Sequence, residues 1–134
     1  MDTKHRLASV EVKLPPDAGL VSPLRLFVSG MASRLGFGLD ELEDLKLTIG
    51  EAFLAIVEKC AGTKGMISLK WEETPESLNI RVTDPSHTFT RVYSEPIFHL
   101  LEKLADGITY GDETQPEVNV RFDLRDKSKN LFTD

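Results

Sequence analysis

The sequence predicts an α+β fold, a two-layer sandwich with three helices on one face of a five-stranded, mostly antiparallel sheet. Two observations carry this expectation. Four segments alternate apolar and polar residues with period two, which buries one strand face and leaves the other in water. Three other segments carry apolar stripes at helical spacing, and one-faced strands need such a cover.

The elements follow in order. Ala8, Val10, Val12 and Leu14 alternate with Ser9, Glu11 and Lys13 in the first strand. Ser22-Pro23 then reads as an N-cap with proline in the first helical turn. Leu24, Phe27, Val28, Met31, Ala32 and Leu35 form the stripe of that helix, and Gly36 and Gly38 mark its end. The second helix opens at Asp40, with Glu43 placed to complete a capping box. Its stripe is Leu42, Leu45, Ile49, Ala52, Phe53, Ile56 and Cys60. Ile67, Leu69 and Trp71 make a second strand, and Leu78, Ile80 and Val82 a third. The short Thr74–Ser77 connection joins these two as a hairpin. A third helix spans about Pro96 to Ala105, with Ile97, Leu100, Leu101 and Leu104 inward. A short strand near Ile108–Tyr110 and a long one over Val118, Val120, Phe122 and Leu124 complete the sheet. The 134 residues read as one domain, with an ordered core over about 8–124 and a frayed tail over 125–134.

Composition narrows the function classes. The hydrophobic fraction is 40% and the charged fraction 28%, ordinary values for a folded chain. Sixteen Lys and Arg against 22 Asp and Glu give a net charge of −6, and the cations are scattered. A nucleic-acid groove needs clustered cations, so no direct nucleic-acid partner is expected. Cys60 is the only cysteine, so no internal disulfide forms. No apolar run reaches membrane-spanning length and the first residues are polar, so a cytoplasmic address is expected. His5, His87, His99 and Cys60 show no metal-ligand spacing, and no metal site is expected.

One polar residue departs from its surroundings. Glu51 lies between Leu47 and Leu54 on one face of the second helix. Burying a carboxylate there is costly unless it is paired. Periodicity alone favours a helix edge where it reaches water; the functional reading is a carboxylate facing a pocket between helix and sheet.

The segment Leu45-Lys-Leu-Thr-Ile-Gly-Glu51-Ala-Phe-Leu-Ala55 resembles the second helix of the anti-sigma-factor serine kinases, which share the histidine-kinase-like ATPase (GHKL) fold. The resemblance extends in element order and hydrophobic pattern from about Ala8 to Leu124. It implies for Glu51 the catalytic role of the glutamate that positions or activates the phosphoacceptor or water, as a general base or as the vestige of one. It also implies a magnesium-binding asparagine at i+4, the spacing that puts both groups on one site. Ala55 stands there instead, and a methyl group cannot coordinate magnesium. Val82-Thr-Asp84-Pro-Ser86-His-Thr88-Phe89 resembles the family's Asp-x-Gly-x-Gly-Phe loop. Asp84 and Phe89 match, as a vestigial adenine site, whereas Ser86 and Thr88 replace both glycines. The lid glycines are missing too, with Ile97 and His99 among their replacements.

The resemblance therefore implies a regulator that binds an RNA polymerase sigma factor, an anti-anti-sigma antagonist, or both, as a homodimer, through a degraded ATP and magnesium site. No cofactor is then expected. The alternative is an active ATP-dependent protein-serine kinase that phosphorylates the antagonist and binds ATP and magnesium. A third reading is a small-molecule sensor, with Phe89, Ile97 and His99 lining the former nucleotide pocket. The acidic run Asp40, Glu41, Glu43 and Asp44, beside Arg25 and Arg34, suggests a partner surface, although acids favour helix N-termini in any case.

Overall fold

The structure, a computed structural model, describes residues 7–60, 65–83, 96–111 and 117–124. The element order is β1 (Ser9–Leu14), α1 (Val21–Ala32), α2 (Leu39–Cys60), β2 (Ile67–Glu73), β3 (Ser77–Thr83), α3 (Pro96–Leu104), β4 (Gly107–Tyr110) and β5 (Glu117–Asp123). The strands form one sheet in the order β1-β2-β3-β5-β4, and every neighbouring pair is antiparallel. The expected α+β architecture of five strands and three helices is therefore present.

The pleat explains the layering. Ile67, Leu69 and Trp71 of β2, Leu78, Ile80 and Val82 of β3, and Val118, Val120 and Phe122 of β5 are all buried. They meet Leu24, Val28 and Ala32 of α1, the Leu45–Cys60 stripe of α2, and Phe98 and Leu101 of α3 in one core. Phe27 of α1 packs edge-on against Trp71 at 6.0 Å, and Phe98 of α3 against Tyr110 of β4 at 5.8 Å. Such aromatic pairs add about 1 kcal/mol each beyond their burial. The β2–β3 turn is held by Thr74: its N–H donates to the Ser77 carbonyl (2.8 Å), and its hydroxyl accepts from the Ser77 N–H (3.0 Å).

Several local expectations are corrected. Ser22 does not cap α1. Asp17 instead caps a short 3-10 turn over Ala18–Leu20, accepting from the Gly19 N–H at 2.9 Å, and that turn runs directly into α1. The helix-ending glycine signal is upheld, because Gly36 takes a left-handed φ of 78° after a second 3-10 turn over Ser33–Leu35. At the start of α2, the Leu42 N–H donates to the Gly38 carbonyl, and Glu43 pairs with Lys46 (3.1 Å) rather than closing a capping box. In α3 Leu101 is buried and Leu104 packs against the core as expected, but Phe98 is buried as well and Leu100 is exposed; the Ile97 side chain lies outside those described. The aromatic ring takes the inward position facing β4, which turns Leu100 out to water. The 125–134 tail lies outside the described residues.

Candidate functional site

Glu51 sits on the half-exposed flank of α2, outside the Leu45–Cys60 stripe, with 31% of its side chain accessible. It does not simply escape to water. Arg25, one turn into α1, crosses to α2 and places its Nη2 3.6 Å from Glu51 Oε2. The helix sequence permits this approach. A Cβ built on Gly50 would lie 2.7 Å from Arg25 Nη2 and closer still to Nε, so a side chain there would displace the guanidinium. Glycine inside a helix costs about 1 kcal/mol relative to alanine, and here it makes room for the arginine.

Ala55, one turn further along α2, is half-buried and packs against the core. Asparagine at this position would bring a side-chain oxygen beside Glu51; alanine brings a methyl group. On this stretch of α2 the carboxylate shared with Arg25 therefore has no second oxygen ligand at i+4, and magnesium requires an all-oxygen shell. Of these two positions, only Glu51 offers an oxygen to a metal. Asp84 and Phe89, with Ser86, His87 and Thr88, lie outside the described residues, so Glu51 and Ala55 are the matched site positions that the structure brings together. His99 is exposed on α3. Trp71 and Cys60 are buried core residues.

A second carboxylate was not singled out from the sequence. Glu73 ends β2 in the inward register of Ile67, Leu69 and Trp71, and its side chain is shut off from solvent. It accepts from Trp71 Nε1 (2.8 Å), from the Ala8 N–H (2.8 Å) and from both Nη atoms of Arg34 (2.8 and 3.3 Å). Burial is the largest influence on this carboxyl and pushes its pKa up; the bonds from Arg34, Trp71 and Ala8 together outweigh it and hold the group below its usual value of 4.5. The legible signal was the alternation itself, which continues one step past Trp71 and lands on a carboxylate. Arg25 and Arg34, both partly exposed, each meet a carboxylate outside the Asp40–Asp44 run.

With the sheet, α2 and the Glu51 position in place, the comparison with known proteins becomes specific. The family model for the histidine kinase-like ATPase domain matches residues 14–96. The chain belongs to that family. The matched region of this histidine kinase-like ATPase domain runs from the last residue of β1 through α1, α2 and the β2–β3 hairpin to the first residue of α3. The chain is also similar to proteins named serine-protein kinase RsbW. It is 32% identical over 85 residues to that of Halalkalibacterium halodurans, covering 63% of this chain and 52% of the relative. It is 32% identical over 88 residues to that of Bacillus subtilis strain 168, covering 64% and 55%. A Bacillus cereus strain Q1 relative is 34% identical over 86 residues, covering 63% and 54%. The aligned part spans about half the length of these relatives. No helix among the described residues is long and apolar enough to cross a membrane.

Proposed function

We propose that this histidine kinase-like ATPase domain acts as an anti-sigma-type regulator that binds proteins through an ATPase scaffold whose nucleotide and magnesium site has decayed. Its partners are a sigma factor and the antagonist that competes for it, and it works as a homodimer in the cytoplasm. The observation that carries the reading is Ala55, one turn after Glu51, where the helix has a methyl group in place of an oxygen ligand. Phosphoryl transfer depends on metal ions to neutralise charge on the phosphates, so losing that ligand weakens the chemistry at its centre. Two further features support it. Arg25 holds the remaining carboxylate at 3.6 Å, and Ser86 and Thr88 replace the glycines of the nucleotide loop.

The relatives' name, serine-protein kinase, together with the retained Glu51, favours one alternative: an active kinase acting on a serine of the antagonist. Thermal melting separates the two. A ligand present at about a hundred times its Kd stabilises the folded state by about 2.7 kcal/mol. The decayed-site reading expects no rise in melting temperature with ATP and magnesium together. A magnesium-dependent rise, with phosphate appearing on an antagonist protein, establishes the kinase instead.

A further inference from the structure

The two edges of the sheet differ. β4 has four residues and begins at Gly107, against which the Arg121 guanidinium packs. β1 runs for six residues without proline, glycine or bulge, in unbroken register with β2. Natural edges are protected by brevity, proline, bulges or charge. In β1 charge is the one such device, and its two charged residues, Glu11 and Lys13, are of opposite sign.

The main-chain bonds show which residues face the open side of this edge. The Glu73 N–H donates to the Ala8 carbonyl (3.0 Å), and the Thr74 N–H to that of Ser77 (2.8 Å). Bonded pairs alternate along an antiparallel ladder, so Val10, Val12 and Leu14 turn their main-chain groups to Trp71, Leu69 and Ile67 of β2. By the same alternation Ser68, Lys70 and Glu72 bond to β3, so the two ladders agree. The N–H and C=O groups of Ser9, Glu11 and Lys13 therefore point away from β2, at an edge that no other described strand covers. The same three side chains are exposed, whereas Val10, Val12 and Leu14 are half-buried, with Val10 and Leu14 packed on the core.

We propose that β1 pairs antiparallel with β1 of a second copy about a twofold axis through Val12, joining two five-stranded sheets into one of ten strands. Charge selects this register. Open main-chain groups must meet open ones, so odd-numbered residues oppose odd-numbered residues. Centring the pair on Glu11 or on Lys13 sets like charges face to face, which destabilises a sheet. Centring it on Val10 leaves Lys13 opposite Leu7. Centred on Val12, Glu11 opposes Lys13 of the second copy twice over, and each such pair exchanges both main-chain bonds. Val10 then faces Leu14, and Val12 faces its own counterpart, so the inward apolar row runs on across the junction. Glu11 already lies opposite Lys70 and accepts from Ser68 Oγ (2.6 Å), and the junction sets a second cation on its other side. Pro15 has no N–H with which to lengthen the ladder. The edge is thus self-complementary, as a twofold contact requires. This names the interface of the homodimer in the proposed function and rests on that part of it; it does not involve the nucleotide site.

The test is analytical ultracentrifugation of the full chain between about 1 and 100 µM, where a dimer of ordinary affinity forms by mass action. Salt is set at about 0.15 M, which screens repulsion between two chains of net charge −6 beyond about 8 Å. The parent should dimerise, and the Glu11 and Lys13 amides should gain hydrogen-exchange protection as protein concentration rises. Glu11→Lys and Lys13→Glu each set like charges face to face at the junction and should each weaken self-association at least about tenfold. Mixed in equal amounts, these two variants should form a heterodimer, because every Glu then opposes a Lys; a variant that merely folded badly would not be rescued. A parent that stays monomeric overturns both this proposal and the homodimer reading. A dimer indifferent to both variants, or two weakened variants that do not rescue each other, leaves the homodimer standing and overturns this interface. Protection of the Glu11 and Lys13 amides at every concentration also overturns it, because a segment of the same chain then covers the edge.

Discussion

Glu73 and Glu51 each meet an arginine, and they are held very differently. Glu73 is sealed under the sheet end by a tryptophan N–H, a backbone N–H and two guanidinium N–H groups. Glu51 keeps one loose contact to Arg25 at 3.6 Å on a flank where both side chains remain about one-third exposed. A buried charge that fills its hydrogen-bonding capacity is committed to the fold, since releasing it costs several kcal/mol. A half-exposed pair is worth at most about 1 kcal/mol and can exchange its partner. Glu73 is therefore structural, joining the residue before β1, the end of β2 and the turn after α1, whereas the Glu51–Arg25 pair is loose.

Breaking the tight site gives the largest expected effect. Glu73→Ala should cost about 3 kcal/mol in urea unfolding, because Trp71 Nε1 and the Ala8 N–H lose their acceptor and Arg34 loses its counter-charge. Trp71→Phe is expected to cost about 2 kcal/mol, from one lost bond to the carboxylate and a small void beside Phe27.

Acid sharpens the same contrast. Glu73 is held below its usual 4.5, so the unfolded chain takes up its proton first and stability rises with pH across this range. The contribution of Glu73 is complete above about pH 5 and is lost as pH falls from 4.5 through the lower folded-state value. The urea midpoint should drop over that range, and Glu73→Gln should flatten the drop. A midpoint equally steep in the variant would assign the acid sensitivity elsewhere.

The loose site gives the smallest effect. Gly50→Ala gains up to about 1 kcal/mol of helix propensity and displaces Arg25, with the loss of a pair worth up to about 1 kcal/mol. The net change in stability should stay within about 0.5 kcal/mol. A loss above about 2 kcal/mol would show that the Arg25–Glu51 pair supports the fold as Glu73 does.

The contrast also explains what was legible in the sequence. Strand alternation places each inward residue of β2, β3 and β5, because a period of two leaves no choice of face once one side is buried. The long stripe of α2 was equally readable over its six turns. The short α3 was readable in part: Leu101 and Leu104 meet the core, but nine residues give too few turns to place Leu100, and contact between Phe98 and Tyr110 decides the phase. The start of α1 was misread because Ser22-Pro23 satisfies a local rule, while Asp17 nucleates the preceding turn and the chain never needs a second cap. Glu51 stood out as a polar residue among apolar neighbours, but Arg25 is 26 positions away and no local pattern joins them. Glu73 was legible as the inward position one step past Trp71, but its partners Ala8 and Arg34 are brought to it only by the fold.

The central claim is that the carboxylate on α2 survives without a working nucleotide site. Its most direct test is a calorimetric titration of nucleotide-stripped protein with ATP and ADP, with and without magnesium. The account predicts no binding heat for any of the four combinations up to about 1 mM, the concentration at which a Kd corresponds to only about −4.1 kcal/mol. Micromolar, magnesium-dependent binding of ATP that is lost in Glu51→Ala would contradict it.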